Sequence, residues 1–251
     1  MSLWEAVSVV LAGLAAGTIN TVVGSGTLVT FPVLLAVGLP PVLANVSNTV
    51  GLVPGSLSGA IGYRRELAGQ GRRVGRLAVA SVLGGVTGGA LLLVLPAAAF
   101  ETIVPLLIGL ACVMVVVQPR VAARLGDRAG RPHRVHGGPL LYAAIYGTGI
   151  YGGYFGAAQG VLLIAVMGLL LDEDLQRINA AKNVLALVVN AVAALLFVLV
   201  TDVAWQAAGL VAVGAVVGGQ VGALVGRRVP QPVLRGLVVV VGVAAIVQLV
   251  A

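Results

Sequence analysis

This sequence is short of almost everything a water-facing domain needs. Only 9% of its 251 residues are charged, where about 25% is usual in a soluble domain. There is one cysteine, Cys112, so an intrachain disulfide is excluded, and its apolar surroundings make it a small buried hydrophobe. No acidic residue lies deep in an apolar run: Glu5, Glu101, Asp127 and Asp202 fall at run ends or in loops, and Glu66 sits in a basic loop. A Na⁺ or metal site built on carboxylates is therefore excluded. His133 and His136 stand in a basic loop without a second cysteine or an acidic cluster, so no metal and no cofactor is expected there. The chain has no GxxxxGK[ST], no GxGxxG between a strand and a helix, no Ser/His/Asp grouping and no paired intramembrane carboxylates, which leaves an enzyme nothing to work with. The N-terminus lacks the basic n-region of a secretory signal and carries Glu5 instead, so it reads as a first, retained membrane helix.

What the chain does have is apolar length. Hydrophobic residues make up 59% of it, in runs at about 4–22, 24–38, 41–63, 74–95 and 98–117, then 139–157, 158–171, 176–200, 204–226 and 231–250. These runs have the length of helices, and they lack the roughly ten-residue alternation of barrel strands. The expected fold is all-α: a polytopic integral membrane protein with about 8–10 membrane segments. The runs 24–38 and 158–171 are shorter than the 17–25 residues of a full span, and read as half-helices or re-entrant segments.

The net charge is +7, but position matters more than sum. Thirteen of the fifteen basic residues lie in three loops, 64–76, 120–134 and 227–235. The positive-inside rule puts all three in the cytoplasm, and a nucleic-acid partner is not expected. The partners this pattern leaves are the lipid bilayer, a small solute and, undecided by sequence, further copies of the chain.

Shifted by 134 residues, the chain matches itself. Gly26 meets Gly160, Asn45 meets Asn179, Gly84, Gly85 and Gly88 meet Gly218, Gly219 and Gly222, and Pro96 meets Pro230. The loop charges reverse over the same shift: 64–76 meets 198–210, which has no basic residue. Two inverted-topology helical repeats follow, 1–117 and 139–251, joined by a basic cytoplasmic linker at 118–138. If the short runs dip and return instead of crossing, each repeat has an even number of spans and the copies are parallel. The reversed charges favour crossing. The Gly patches have small residues four apart on one face, which suits close helix packing in lipid.

Polar residues inside a membrane are costly and mark cavities or helix contacts. In the first repeat they are Asn20, Ser25, Asn45, Ser47, Asn48, Thr49 and Ser56; in the second, Tyr151, Tyr154, Gln159, Asn179, Lys182, Asn183 and Asn190. Asn179, Lys182 or Asn183, and Asn190 fall on one helical face, and Asn45, Asn48 or Thr49, and Ser56 on its copy. The plainer reading is amide glue between helices. Lys182, the sole lysine, is either a counter-charge for an anion or a snorkelling side chain that pairs with Asp172, Glu173 or Asp174 at the surface. The breaks at Gly24-Ser25-Gly26 and Gln159-Gly160 precede short helices whose N-termini suit an anion. The expected site is Ser25, Gly26, Asn45, Asn48, Gln159, Gly160, Asn179, Lys182 and Asn183, and the expected ligand is an anion.

The stretch GTINTVVGSGTLVTFPVLLAVGLPPVLANVSNTVG from Gly17, the stretch YGGYFGAAQGVLLIAVMGLL from Tyr151, and INAAKNVLALVVNAVAALLF at Ile178 to Phe197 resemble the two hallmark halves of the sulfite exporter TauE/SafE family. Thr27 follows Gly26 where a further Gly is common in the family, and Ala158 stands where a Gly often precedes the Gln. The resemblance implies a multi-pass inner-membrane permease that exports sulfite, organosulfonates or related small inorganic or organosulfur anions. A passive anion channel and a non-transporting membrane assembly subunit remain alternatives on the sequence alone.

Overall fold

The computed structural model describes residues 1–126, 138–225, 236, 239–244, 246 and 247. All of loop 227–235, most of 120–134, and Pro230, His133 and His136 lie outside them. Among the described residues the architecture is all-helical: α1 Leu3–Val22, α2 Thr27–Ala36, α3 Pro41–Gly62, α4 Gly71–Val94, α5 Ala97–Gly126, α6 Pro139–Tyr154, α7 Gln159–Leu170, α8 Leu175–Val200 and α9 Trp205–Val225. Five helices, α1, α4, α5, α8 and α9, contain stretches long and apolar enough to cross a membrane, as a multi-pass membrane protein requires. Helix α3 has the length but not the hydropathy, because Asn45, Ser47, Asn48, Thr49, Ser56 and Ser58 are all turned inward and buried. Helix α5 runs past the end of its apolar segment into the first part of the expected linker.

Local chemistry sets the boundaries. Helix α1 opens with a capping box in which Ser2 and Glu5 satisfy each other's backbone N–H groups. Helices α3 and α6 open with Pro41 and Pro139, where the missing N–H costs nothing. Asp174 caps α8 by accepting from the N–H groups of Gln176 at 2.8 Å and Arg177 at 3.3 Å.

Glycine then sets the packing. Gly13 and Gly17 of α1 rest on Val211 and Ala215 of α9, and Gly51 and Gly55 of α3 rest on the same stretch of α9. Gly84 and Gly88 of α4 rest on Tyr146, Gly149 and Ile150 of α6, while Gly85 and Gly89 meet Val189 and Ala193 of α8. Apolar attraction between helices vanishes in lipid, so this close backbone approach supplies the dispersion contacts that hold them together. The fourth helix of each half thus inserts between the first and third helices of the other half. Helices α3 and α8 run antiparallel: Ser47, near the start of α3, accepts from the Ala204 N–H just after α8 at 2.9 Å, while Tyr63, just after α3, is buried with Ala180 near the start of α8.

Candidate functional site

Helix α1 stops in mid-bundle because Gly24 takes a left-handed φ of +89°, open to glycine but strained for other residues. The N–H groups of Val23 and Gly24 both turn back to the Ile19 carbonyl, at 2.7 and 3.0 Å. The carbonyls of Asn20 and Thr21 therefore face the bundle interior without a helical partner. Helix α8 supplies the donors. Lys182 Nζ donates to Asn20 O at 2.8 Å and Thr21 O at 3.1 Å, and the Nδ2 groups of Asn179 and Asn183 each donate to Thr21 O at 3.3 Å.

The second half repeats this construction with different chemistry. Helix α6 ends where Phe155 and Gly156 turn back to the Tyr151 carbonyl, with Gly156 at φ +78°. The buried Tyr154 carbonyl at this helix end accepts from Asn45 Nδ2 of α3 at 3.0 Å. Asn45 and Asn179, matched by the repeat offset, thus do the same job for opposite halves. The second turn has the same four-residue length, and it runs on through Ala157 and Ala158 before α7 begins. Ala158 is the one non-glycine among the described residues with positive φ, at 58°, a conformation that glycine takes without strain. The two turns then meet: the Gly160 N–H donates to Gly24 O at 3.0 Å, and Gly160 lies directly against Gly24 and the Lys182 side chain.

Of the nine residues expected from sequence, Gly160, Asn179, Lys182 and Asn183 gather around the end of α1. Asn45 serves the end of α6. Asn48 ties α3 to α2 instead, donating from Nδ2 to Thr27 Oγ1 at 3.3 Å and accepting from Thr30 through Oδ1. Gly26 fits against Ala16 and Asn20 of α1, Gln159 against Gly152, and Ser25 is wholly buried in the first turn. Two expectations need correction. The Gly160 N–H is not free for a ligand in this conformation, since Gly24 holds it. Lys182 does not snorkel: it is 0% exposed, and Glu173 is occupied elsewhere, accepting from Arg73 at 2.6 Å and from Arg177 Nε at 2.8 Å. Burial would raise the Glu173 carboxyl, but the hydrogen bonds and charges of Arg73 and Arg177 outweigh it and hold it below the usual carboxylate range. Sequence reasoning also missed the Asn20 and Thr21 carbonyls as site groups. The signal was Gly24, which ends α1 and strips those carbonyls of partners.

Four of the nine residues keep a buried polar atom with no hydrogen-bond partner: Ser25 Oγ, Asn45 Oδ1, Gln159 Nε2 and Asn179 Oδ1. Tyr154 adds its hydroxyl. Native interiors leave few such groups unsatisfied, and these five are concentrated around the two helix breaks. Beside it, Phe31, Phe100, Phe155 and the Tyr154 ring form an edge-on aromatic cluster, Phe31 and Phe155 lying 5.3 Å apart. No group of His, Cys, Asp and Glu among the described residues could hold a metal ion.

A broken pair of helices joined at their glycines, with a lysine at the seam, runs through the two stretches that carry the family resemblance. The profile described as Sulfite exporter TauE/SafE matches residues 9–249. The chain belongs to the TauE/SafE family. Relatives include a probable membrane transporter protein of Haemophilus influenzae, 26% identical over 230 residues that cover 91% of this chain and 88% of that protein. The probable membrane transporter protein YfcA of Escherichia coli is 28% identical over 227 residues, 90% of this chain and 82% of its own length. A probable membrane transporter protein, ORF9, of Sinorhizobium is 24% identical over 241 residues, 96% and 90% respectively. No solved structure matches. This TauE/SafE protein is thus spanned almost end to end by its relatives, and the site residues from Ser25 to Asn183 all fall inside the matched region.

Proposed function

We propose that the protein is a secondary transporter that moves a small anion, sulfite or an organosulfonate, across the inner membrane by alternating access. The observation that carries the anion is Lys182, fully buried and held only by neutral carbonyl groups. A charge taken out of water without an opposite charge is costly, and a mobile anion is the ligand that offsets it. Ser25 Oγ and Gln159 Nε2, buried without partners, are donors an oxyanion can accept from. The family description supports sulfite, and the names of the relatives support transport rather than catalysis.

Alternating access needs two units that rock about a shared site. The antiparallel course of α3 and α8, and the exchange of α4 and α9 between halves, support an inverted pair whose seam holds Ser25, Gly26, Asn45, Asn48, Gln159, Gly160, Asn179, Lys182 and Asn183. The basic loops 64–76, 120–134 and 227–235 are the cytoplasmic ones. With the interior negative, moving one negative charge outward is favoured by about 2.3 kcal/mol per 100 mV, so export requires no coupled ion.

The test is efflux of labelled sulfite from proteoliposomes under an imposed potential. Saturable efflux that accelerates with an interior-negative potential is expected, and it is lost in Lys182→Met. Flux that never saturates marks a passive channel. Flux indifferent to the sign of the potential defeats uncoupled export, and absence of flux with every sulfur oxyanion defeats the transporter reading.

A further inference from the structure

Among the described residues, the core holds one basic side chain, Lys182. Arg64, Arg65, Arg72 and Arg76 are exposed in the loop before α4 or in its first turns, and Arg73 and Arg177 are spent on Glu173. None of them reaches the helix breaks. Two helix starts, α2 and α7, and two helix ends, α1 and α6, converge there. Each start carries about half a positive elementary charge and each end about half a negative one, and the contact of Gly160 N–H with Gly24 O joins a start to an end, so these partial charges cancel. What remains is the Lys182 ammonium. The unpartnered groups around the two helix breaks, on Ser25, Asn45, Gln159 and Asn179, are uncharged, and those residues are between 0 and 6% exposed.

Resting on the anion-transport reading above, we propose that the site selects its ligand by charge and takes a singly charged oxyanion in preference to a doubly charged one of similar size. A monoanion with the ammonium makes a neutral buried unit, satisfied on its remaining oxygens by the hydroxyl of Ser25 and the amide of Gln159. A dianion carries a second charge into the same buried site with no further cation among the described residues to meet it, and an uncompensated buried charge is among the most unfavourable arrangements a protein interior can hold.

The experiment uses the purified full-length protein and compares methanesulfonate, a monoanion, with sulfate, a dianion of similar tetrahedral shape, and with uncharged dimethyl sulfone. A ligand that binds the folded state raises the melting temperature by mass action. Methanesulfonate should stabilise the wild type; sulfate should need at least about tenfold higher concentration for the same shift, and the sulfone should give none. Lys182→Met should abolish the methanesulfonate response, and should that variant not fold, the wild-type comparison decides alone. Sulfate matching or exceeding methanesulfonate overturns charge selection while leaving an anion transporter standing. Equal stabilisation by the sulfone overturns it too. Silence from both anions defeats the anion-transport reading itself, and the charge rule with it.

Discussion

Asn190 donates from Nδ2 to Ser56 Oγ at 3.5 Å, and these two residues stand 134 positions apart, the same interval that superposes the two halves of the sequence. A residue that bonds to its own counterpart lies where the two halves meet. Asn20 also donates to Ser56 Oγ, at 3.4 Å, and the carbonyl of the same Asn20 accepts from Lys182. The seam between the halves is therefore polar from Ser56 to Lys182, in the middle of a bundle that is otherwise apolar.

Lys182→Met tests whether the ammonium serves the ligand or the fold. Asn179 and Asn183 still donate to Thr21 O in the variant, and an unpaired buried charge disappears, so the melting temperature in detergent should change little while sulfite efflux is lost. Lost efflux together with a collapsed melting temperature would assign Lys182 a structural duty instead.

Gly88→Ala and Gly218→Ala should each destabilise the protein by about 1–3 kcal/mol, the usual cost of overpacking a tight contact. The new methyl groups would press on backbone at Ile150 and Leu14, neither of which can yield. Gly147→Ala and Gly209→Ala meet nothing within 4 Å and should be neutral or stabilising by about 0.5–1 kcal/mol, the helix-propensity gain. Melting curves of the four variants check the contrast.

Glu173 joins Arg73 of α4 to Arg177 of α8, and Arg177 also donates to Ala68 O at 3.1 Å. Its carboxyl is held below the usual range, so its contribution to stability is present above the ordinary carboxylate pKa and is lost as pH falls through the lowered folded value. Wild type should therefore melt above Glu173→Gln at neutral pH, and the two curves should converge in acid. Added salt should narrow the gap at neutral pH, though less than for a fully exposed pair.

Membrane orientation can be read with single cysteines in a Cys112→Ala background. Ala68→Cys, in the basic loop, should react with an impermeant maleimide only after the cells are opened, and Asp202→Cys, at its counterpart position between α8 and α9, should react in intact cells. Both positions are exposed. Labelling of both from the same side would dismiss the inverted arrangement.

The sequence alone determined the all-helical, membrane-spanning class of the protein, and it carries the 134-residue self-match. Apart from α5, which runs on to Gly126, apolar run lengths give the described helices to within a few residues, because a helix that crosses lipid must satisfy its backbone internally and has little freedom in length. Buried polar residues such as Asn45, Asn179 and Lys182 were also legible, since each one in an apolar run costs free energy that some contact must offset. Partners were not legible. Lys182 is held by carbonyls 161 and 162 residues away in the chain, and those carbonyls are available only because Gly24 ends α1 inside the bundle. Asn48 matches Lys182 across the repeat, yet the fold turns it toward Thr27 and Thr30 of α2. Nor does hydropathy say that α4 and α9 trade places between the halves; small residues permit that exchange, and only the three-dimensional fit of one helix face to another selects it.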